Sequence, residues 1–373
     1  MSGYDFGTGN TNPEGFPADE LAAAAARIIP QVSDQLNQYP GKLGYEPMRQ
    51  MMVDREAERE GVRLLDPDRL ILTNGSMQAI TLVAEALCTG TDDVVVMEEH
   101  CYVGTISAYR ALGIEMAGIP LDAYGMRMDA LADTLARLHD EGRPPRFIYT
   151  LPTYQNPTGF MMPKERRLEL LALAEQYQLI VVEDNCYADV HFEGEKPPAL
   201  YTLDDSDRQV YMCSLSKIFA PGVRLGYLYA RGALFDRFLD RRQDAGPNTL
   251  AAAITTEYLS TDLWGHIERA NVALKAKRDA MLEALEVGVG NTCSWSHPVG
   301  GLFIWVRLPD NVDLGRLAEL CEARGVTYAP GSNFYVKGTD VPYIRLAFGY
   351  PSVEQIRAGV PVLGQCIRDA CGA

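Results

Sequence analysis

Three short apolar runs in the middle of the chain end in residues that can do chemistry. RFIYTL (146–151) leads into PTYQNPTG and Asn156; LIVVED (179–184) ends in Asp184, with Tyr187 three residues on. QVYMCS (209–214) leads through Ser214 and Ser216 to Lys217. A lysine that is neutral part of the time is a nucleophilic amine, able to form an imine with a carbonyl. A partly buried carboxylate beside a ring nitrogen favours the protonated ring, because each charge stabilises the other. Asn and Tyr can donate to a phenolate oxygen. Donors for an anion lie close by in sequence. SLSKIFAPGVRLGY (214–227) offers Ser214, Ser216 and Arg224, and TNGSMQAI (73–80) offers Gly75 and Ser76 ahead of a predicted helix (77–87). Backbone N–H groups and the dipole at a helix start favour anions. An imine-forming amine, a ring-protonating carboxylate and a phosphate cradle are together what pyridoxal 5'-phosphate requires.

These residues can meet only if the elements carrying them are parallel and adjacent, since ligands in open α/β sheets sit at the carboxyl ends of the strands. The sequence predicts such a sheet. Apolar runs at 70–73, 94–97, 114–119, 146–151, 179–184, 209–214 and 225–230 alternate with amphipathic segments such as KERRLELLALAEQY (164–177). That alternation implies an α/β fold, a mostly parallel central sheet with helices on both faces. The opening residues read as an irregular arm before a helix near Asp19 to Ile29. From about Gly246 the pattern changes to a helical stretch reaching about Glu286. GGLFIWVRL (300–308), VTYAP (326–330) and YIRLAF (343–348) follow with helices between, as in a smaller α+β domain. The expected division is an arm and helix over 1–35 that packs with the small domain, a large domain over 36–250, and a small domain over 251–373.

Composition narrows the function classes. With 373 residues, two domains are the natural expectation. A net charge of −16 excludes a general nucleic-acid binder, which needs a basic surface. Eight cysteines without a C-x-x-C pair read as reduced thiols, and five scattered histidines have no metal-ligand spacing, so no metal site is expected. No apolar run is long enough to span a bilayer, and the start of the chain has neither the basic nor the apolar segment of a secretory signal. A cytoplasmic protein is expected.

The chain resembles fold-type I pyridoxal-phosphate enzymes, aminotransferase class I/II of the aspartate-aminotransferase superfamily, and most closely their aminoadipate-type, multi-substrate branch. The resemblance rests on YQNPTG (154–159), VEDNCYAD (182–189), SLSKIFAPGVRLGY (214–227), TNGSMQAI (73–80) and YIRLAFGY (343–350), in family order along nearly the whole chain. It implies an aminotransferase that moves an amino group between an α-amino acid and a 2-oxo acid by a ping-pong cycle. It further implies that Lys217 is the Schiff-base lysine and proton shuttle, with Asp184 as partner of the ring nitrogen. Asn156 and Tyr187 would hold the phenolate oxygen, and Tyr102 would stack on the ring. Ser214, Ser216, Arg224, Gly75, Ser76 and Met77 would hold the phosphate. Arg345 would clamp the substrate α-carboxylate with a bidentate fork, aided by Gly9 and Asn156. Tyr39 matches a tyrosine that reaches the phosphate of the neighbouring subunit, which implies a homodimer with shared active sites.

Three positions depart from the family pattern: His100 and Thr11 stand where Pro is usual, and Met77 replaces a common Gln. For His100 a structural role is expected. Taken singly, Ser76 reads as a helix cap, Asp184 as the start of a turn, and Arg224 and Arg345 as surface ion-pair partners. Only their ordered co-occurrence points to a site. Two rival functions stay open at this level. One is another pyridoxal-phosphate chemistry on the same scaffold, such as a lyase, decarboxylase or cyclase. The other is a regulatory effector-binding module, which is disfavoured because the matching motifs begin at Phe6 with no basic winged-helix segment ahead of them.

Overall fold

The structure, a computed structural model, describes residues 3–371. In chain order the strands are β1 (Tyr4–Asp5), β2 (Leu70–Thr73), β3 (Val94–Glu98), β4 (Glu115–Ile119), the hairpin pair β5 (Leu121–Asp122) and β6 (Gly125–Met126), β7 (Phe147–Thr150) and β8 (Ile180–Asp184). There follow β9 (Gln209–Ser214), β10 (Gly226–Ala230), β11 (Ser294–Trp295), β12 (Phe303–Arg307), β13 (Val326–Thr327), β14 (Ala329–Pro330) and β15 (Tyr343–Ala347). The helices are α1 (Ala18–Ile28), α2 (Ser33–Leu36), α3 (Glu46–Glu60), α4 (Ser76–Leu87), α5 (Val103–Ala111), α6 (Met128–Asp140), α7 (Lys164–Gln176), α8 (Leu200–Leu203), α9 (Gly232–Arg241), α10 (Thr249–Gly288), α11 (Leu314–Ala323) and α12 (Val353–Ala370).

All seven apolar runs of the middle region become strands of one sheet, ordered β2-β10-β9-β8-β7-β3-β4. Only β10 runs against its neighbours; the pairs from β9 through β8, β7 and β3 to β4 are parallel. Side chains alternate between the faces as the two-residue period demands. Val95, Met97, Phe147, Tyr149, Val182 and Met212 face α4, α5 and α9. Val94, Val96, Ile148 and Val181 face α6 and α7. Helices thus cover both faces, as a sheet of near-continuous apolar strands requires.

The second sheet is antiparallel, ordered β11-β12-β15-β14. It shares a core with α3, α10 and α12. The predicted strand over 326–330 divides: β14 joins this sheet, whereas β13 pairs in parallel with β1. The opening arm is therefore tied down by strand pairing and is less irregular than its Gly, Asn and Pro content suggests. The long helix α10 begins where Asn248 accepts from the Ala251 N–H, and it breaks at Asp262, whose φ of −163° is not helical.

Beneath the sheet, α3 carries a buried ionic cluster. Arg55 and Arg59 share Asp189 and bond Tyr227 and Tyr211. Burial alone would raise the Asp189 pKa, but the two guanidinium groups hold it well below the usual carboxylate range. This cluster ties α3 to the loop after β8, the loop that presents Tyr187.

Candidate active site

A cavity of about 320 Å³ opens at the carboxyl ends of β7, β8 and β9. Gly9 and Asn10 of the arm and Phe303 and Arg345 of the four-stranded sheet complete its wall. Its size is that of a small-molecule site. Register explains the convergence. Tyr149 lies opposite Val182, and Asp184 opposite Met212, so the groups that follow these strands emerge along one rim.

Lys217 lies three residues beyond β9, and its Nζ is 5.8 Å from the centre of the Tyr187 ring. That amine donates to the Gly9 carbonyl oxygen at 2.8 Å. Burial pushes its pKa down to about 8, helped by the positive charges of Arg345 and Arg224. Thr11, the departure in the arm, donates its hydroxyl to the Lys217 carbonyl at 3.3 Å. Asp184 is buried at the end of β8, and burial pushes its pKa up. Its Oδ2 accepts from the Tyr149 hydroxyl at 2.7 Å, and its Oδ1 from the Cys186 N–H at 3.4 Å. Asn156 Nδ2 meets the Tyr187 hydroxyl at 3.4 Å.

The polar end of the cavity gathers donors for an anion. Ser214 and Ser216 hydroxyls lie 2.9 Å apart at its floor, and the Ser216 N–H donates to Ser214 Oγ at 3.1 Å. Gly75 caps α4 with φ 74°, and a Cβ there would come within 2.4 Å of the Arg224 guanidinium. Only glycine fits both the backbone angle and the approach. Ser76 and Met77, at the start of α4, line the same wall. Arg224 itself takes a left-handed backbone at φ 54° and is held by the carbonyls of Pro221 and Asn74. Tyr102 caps α5, and Gly104 makes room for it: a Cβ at 104 would press on the Tyr102 ring and on Met77 Sδ.

At the other end, Arg345 projects from the middle of β15, flanked by β12 and β14. Its guanidinium lies between the rings of Phe303 and Phe334, 4.2 and 4.7 Å from their centres. Nη1 donates to Asn156 Oδ1 at 3.1 Å and Nη2 to the Gly7 carbonyl at 2.7 Å, while Nε is buried without a partner among the described residues. Burial pushes its pKa down to about 10, which leaves it charged at neutral pH.

Of the residues selected from sequence, Tyr39 alone stands apart from this constellation, 87% exposed among residues of another cleft. Tyr149, Thr105, Glu98 and Gly7 belong to the site's surroundings and were not selected from sequence. Thr105 donates to the Tyr149 hydroxyl at 2.9 Å. Glu98, whose pKa burial pushes up to about 7, accepts from Thr150 and the Leu151 N–H. Their only signal in sequence was position: Glu98 ends a strand, and Tyr149 lies on the same strand face as the next strand's Asp184.

The donor set suits pyridoxal phosphate at each part of that molecule. A serine pair, an arginine and a helix start face one end, a buried carboxylate and an amine of lowered pKa occupy the middle, and an arginine with spare donor capacity faces the other. An open-sheet rim with this set defines a pyridoxal-phosphate enzyme. The model of the family Aminotransferase class I and II matches residues 4–360, and the chain belongs to that family. The chain is 33% identical over 360 residues to aromatic-amino-acid aminotransferase 1 of Thermococcus litoralis, covering 96% of this chain and 86% of that protein. Among solved structures, a multiple substrate aminotransferase from Thermococcus profundus superposes with a TM-score of 0.93 at 32% identity, covering 99% of this chain and 92% of its own. An α-aminoadipate aminotransferase from Thermus thermophilus, solved with N-(5'-phosphopyridoxyl)-L-leucine, gives 0.91 at 30% identity over 99% and 93%. The protein is a pyridoxal-phosphate-dependent aminotransferase. No helix among the described residues is long and apolar enough to cross a membrane.

Proposed function

We propose that this aminotransferase moves an amino group between an α-amino acid and a 2-oxo acid, reading both at their shared α-carboxylate through Arg345. One observation carries the proposal: a buried arginine whose Nε has no partner among the described residues faces the same cavity as the Lys217 amine, whose pKa burial lowers to about 8. When bound, pyridoxal phosphate supplies a carbonyl carbon that exchanges amines and a protonated ring that accepts electrons from Cα. The chain does the rest. Lys217 would hold the cofactor at its carbonyl carbon, and its amine is the group placed to take and return the proton at the substrate Cα. Asp184 would keep a proton on the ring nitrogen. Tyr187 and Asn156 would hold the ring oxygen, and Tyr102 would lie against the ring. Ser214, Ser216, Arg224 and the backbone at Gly75, Ser76 and Met77 would hold the phosphate. Arg345 and the Gly9 segment orient the substrate so that its Cα–H meets Lys217.

Among the described residues the cavity has one such carboxylate fork, so amino acid and oxo acid would use it in turn, as fits a ping-pong cycle in which the cofactor keeps the amino group between half-reactions. Its lining holds three cations among the described residues, Lys217, Arg224 and Arg345, and each already has a task. A side-chain carboxylate on the substrate is therefore not required. We further propose a homodimer in which the exposed Tyr39 of each subunit completes its partner's site, and a cytoplasmic setting, supported by eight free cysteines. The proposed division of the chain is an arm and helix (1–35), a large domain (36–250) and a small domain (251–373).

The test is a screen of amino donors with 2-oxoglutarate as acceptor. One glutamate should form per donor consumed, and Arg345→Lys, which loses the fork, should slow all donors by on the order of tenfold or more. Release of carbon dioxide, ammonia or a cyclised product without glutamate would instead point to one of the other chemistries this scaffold supports.

A further inference from the structure

Asp184 lines the cavity, yet one of its oxygens is committed inside the protein. Oδ2 accepts from the Tyr149 hydroxyl at 2.7 Å, and that hydroxyl accepts in turn from Thr105 Oγ1 at 2.9 Å. Tyr149 and Thr105 are both fully buried. The arrangement follows from register. On β7, Tyr149 pairs with Val182 of β8, and Asp184 lies two residues on, on the same face, which α5 covers. The ring of Tyr109, one turn beyond Thr105, packs edge-on against Tyr149 at 5.9 Å and fixes its plane. Thr105 lies three residues after Tyr102, the cap of α5. The first turn of one helix thus places both the aromatic wall of the cavity and the anchor of Tyr149.

A threonine hydroxyl has one proton. Giving it to Tyr149 obliges the phenol to direct its own proton to Asp184. The chain of donors therefore has a fixed direction, which ends on the carboxylate.

We propose that Tyr149, aligned by Thr105, is the positioning residue for Asp184, fixing the carboxylate's orientation and stabilising its charged form against the ring nitrogen of the cofactor. The inference rests on the reading of Asp184 as the ring-nitrogen partner. Burial raises the pKa of Asp184, and the Tyr149 hydrogen bond opposes that rise. Other ionisable groups around the carboxyl are Glu98 at the end of β3, Cys101 and Tyr102 in the loop after it, Cys186 and Tyr187 just after Asp184 itself, Lys217 after β9, and Tyr109 on α5. Of these, Glu98 titrates about 7, with one oxygen engaged by Thr150 and Leu151 and the other unpartnered. The measurements are therefore made with Glu98 intact and again with Glu98→Gln.

Tyr149→Phe removes the hydroxyl and keeps the ring packing. Thr105→Val keeps the shape and removes the alignment; Thr105→Ser restores the donor. The first readout is the ¹⁵N shift of the ring nitrogen in enzyme loaded with labelled pyridoxal phosphate. Tyr149→Phe should move it toward the neutral-ring value, Thr105→Val should move it part of the way, and Thr105→Ser should return it. The second is binding of pyridoxal phosphate to cofactor-free enzyme. The pH below which affinity falls should rise by about one to two units in Tyr149→Phe, the worth of one hydrogen bond to a buried charge. Cα proton loss should slow by roughly 10- to 100-fold with KM little changed, because a less protonated ring accepts electrons from Cα less well while the substrate carboxylate still meets Arg345. A purely packing role for Tyr149 would leave the shift and the pH midpoint where they are, and that result overturns the proposal. Asp184→Asn separates the two levels. If it moves the ¹⁵N shift and Tyr149→Phe does not, the proposal for Tyr149 falls alone. If neither moves it, the Asp184 assignment falls and takes the proposal with it.

Discussion

A lysine amine with a pKa of about 8 is partly neutral at pH 7.5, where one at the ordinary 10.5 is almost wholly charged. In this chain the cause is burial, reinforced by Arg345 and Arg224. The sign is direct: the neutral amine is the nucleophile, so its fraction rises with pH through about 8 and then saturates. Covalent capture of pyridoxal phosphate by cofactor-free enzyme should follow that curve. The initial rate, quenched with borohydride and read by peptide mapping, should rise steeply between about pH 7 and 8.5 and level off. A rate still climbing tenfold per unit near pH 10 would show an unperturbed lysine. The label should sit on Lys217 and vanish in Lys217→Ala. Lys217, Asp184 and Arg345 were legible from sequence because each stands at a strand end or strand centre inside a distinctive string. Tyr149 was not. A tyrosine in a buried strand is ordinary core, and only the register of β7 against β8 aims its hydroxyl at Asp184.

At the scale of elements, the segment 98–101 joins the two sheets. Cys101 N–H donates to the Phe334 carbonyl, and Val336 N–H donates to that of Glu99. His100 sits in that seam, stacked on Tyr335 at 5.1 Å and against Trp305 and Tyr343 at 5.5 and 5.8 Å. Trp305 in turn packs on Phe334, one of the rings flanking Arg345. Burial pushes the His100 pKa from 6.5 down to about 4, with the Glu99 carboxylate 3.7 Å from Nδ1. The unfolded chain takes up this proton below about 6.5, and the folded protein resists it until about 4. Stability is therefore lost as pH falls through that window, by roughly 2–3 kcal/mol between pH 7 and 4.5. His100→Phe should lack this component. Urea unfolding of both proteins at the two pH values checks it, and an equal acid loss in both would remove His100 as the cause. The sequence marked His100 as a departure in a turn. That it fills an aromatic seam follows from Trp305, Tyr335 and Tyr343, which lie more than 200 residues further along the chain.

For the whole molecule, the exposed Tyr39 is the informative residue. At 87% exposure it leaves a phenol in solvent, and the described chain offers it no place in its own cavity. A two-fold dimer would bring it to the partner's phosphate end, where a neutral hydroxyl donor adds no charge. Mixing Lys217→Ala chains with Tyr39→Ala chains tests this. A mixed dimer has one site with both defects and one with neither, so activity should return in part, up to about a quarter of the native level when chains pair at random. Sizing as an active monomer, or no rescue despite proven subunit exchange, would remove Tyr39 from the site.

The sequence by itself determined the strands of the central sheet, the helices between them and most of the residues around the cavity. Apolar periodicity is a local property, and catalytic side chains in this chain follow strand ends within a few residues. It determined less about the arm. Gly, Asn and Pro make the opening arm look unstructured, yet β1 pairs with β13 and the carbonyls of Gly7 and Gly9 meet Arg345 and Lys217. Those contacts join positions more than 200 residues apart, and no local pattern encodes them. Only the tertiary structure decided that the two sheets share one cavity, and that burial there lowers the pKa of Lys217 while raising that of Asp184. Burial is set by everything packed around a group, so charge states at a site are a property of the assembled fold.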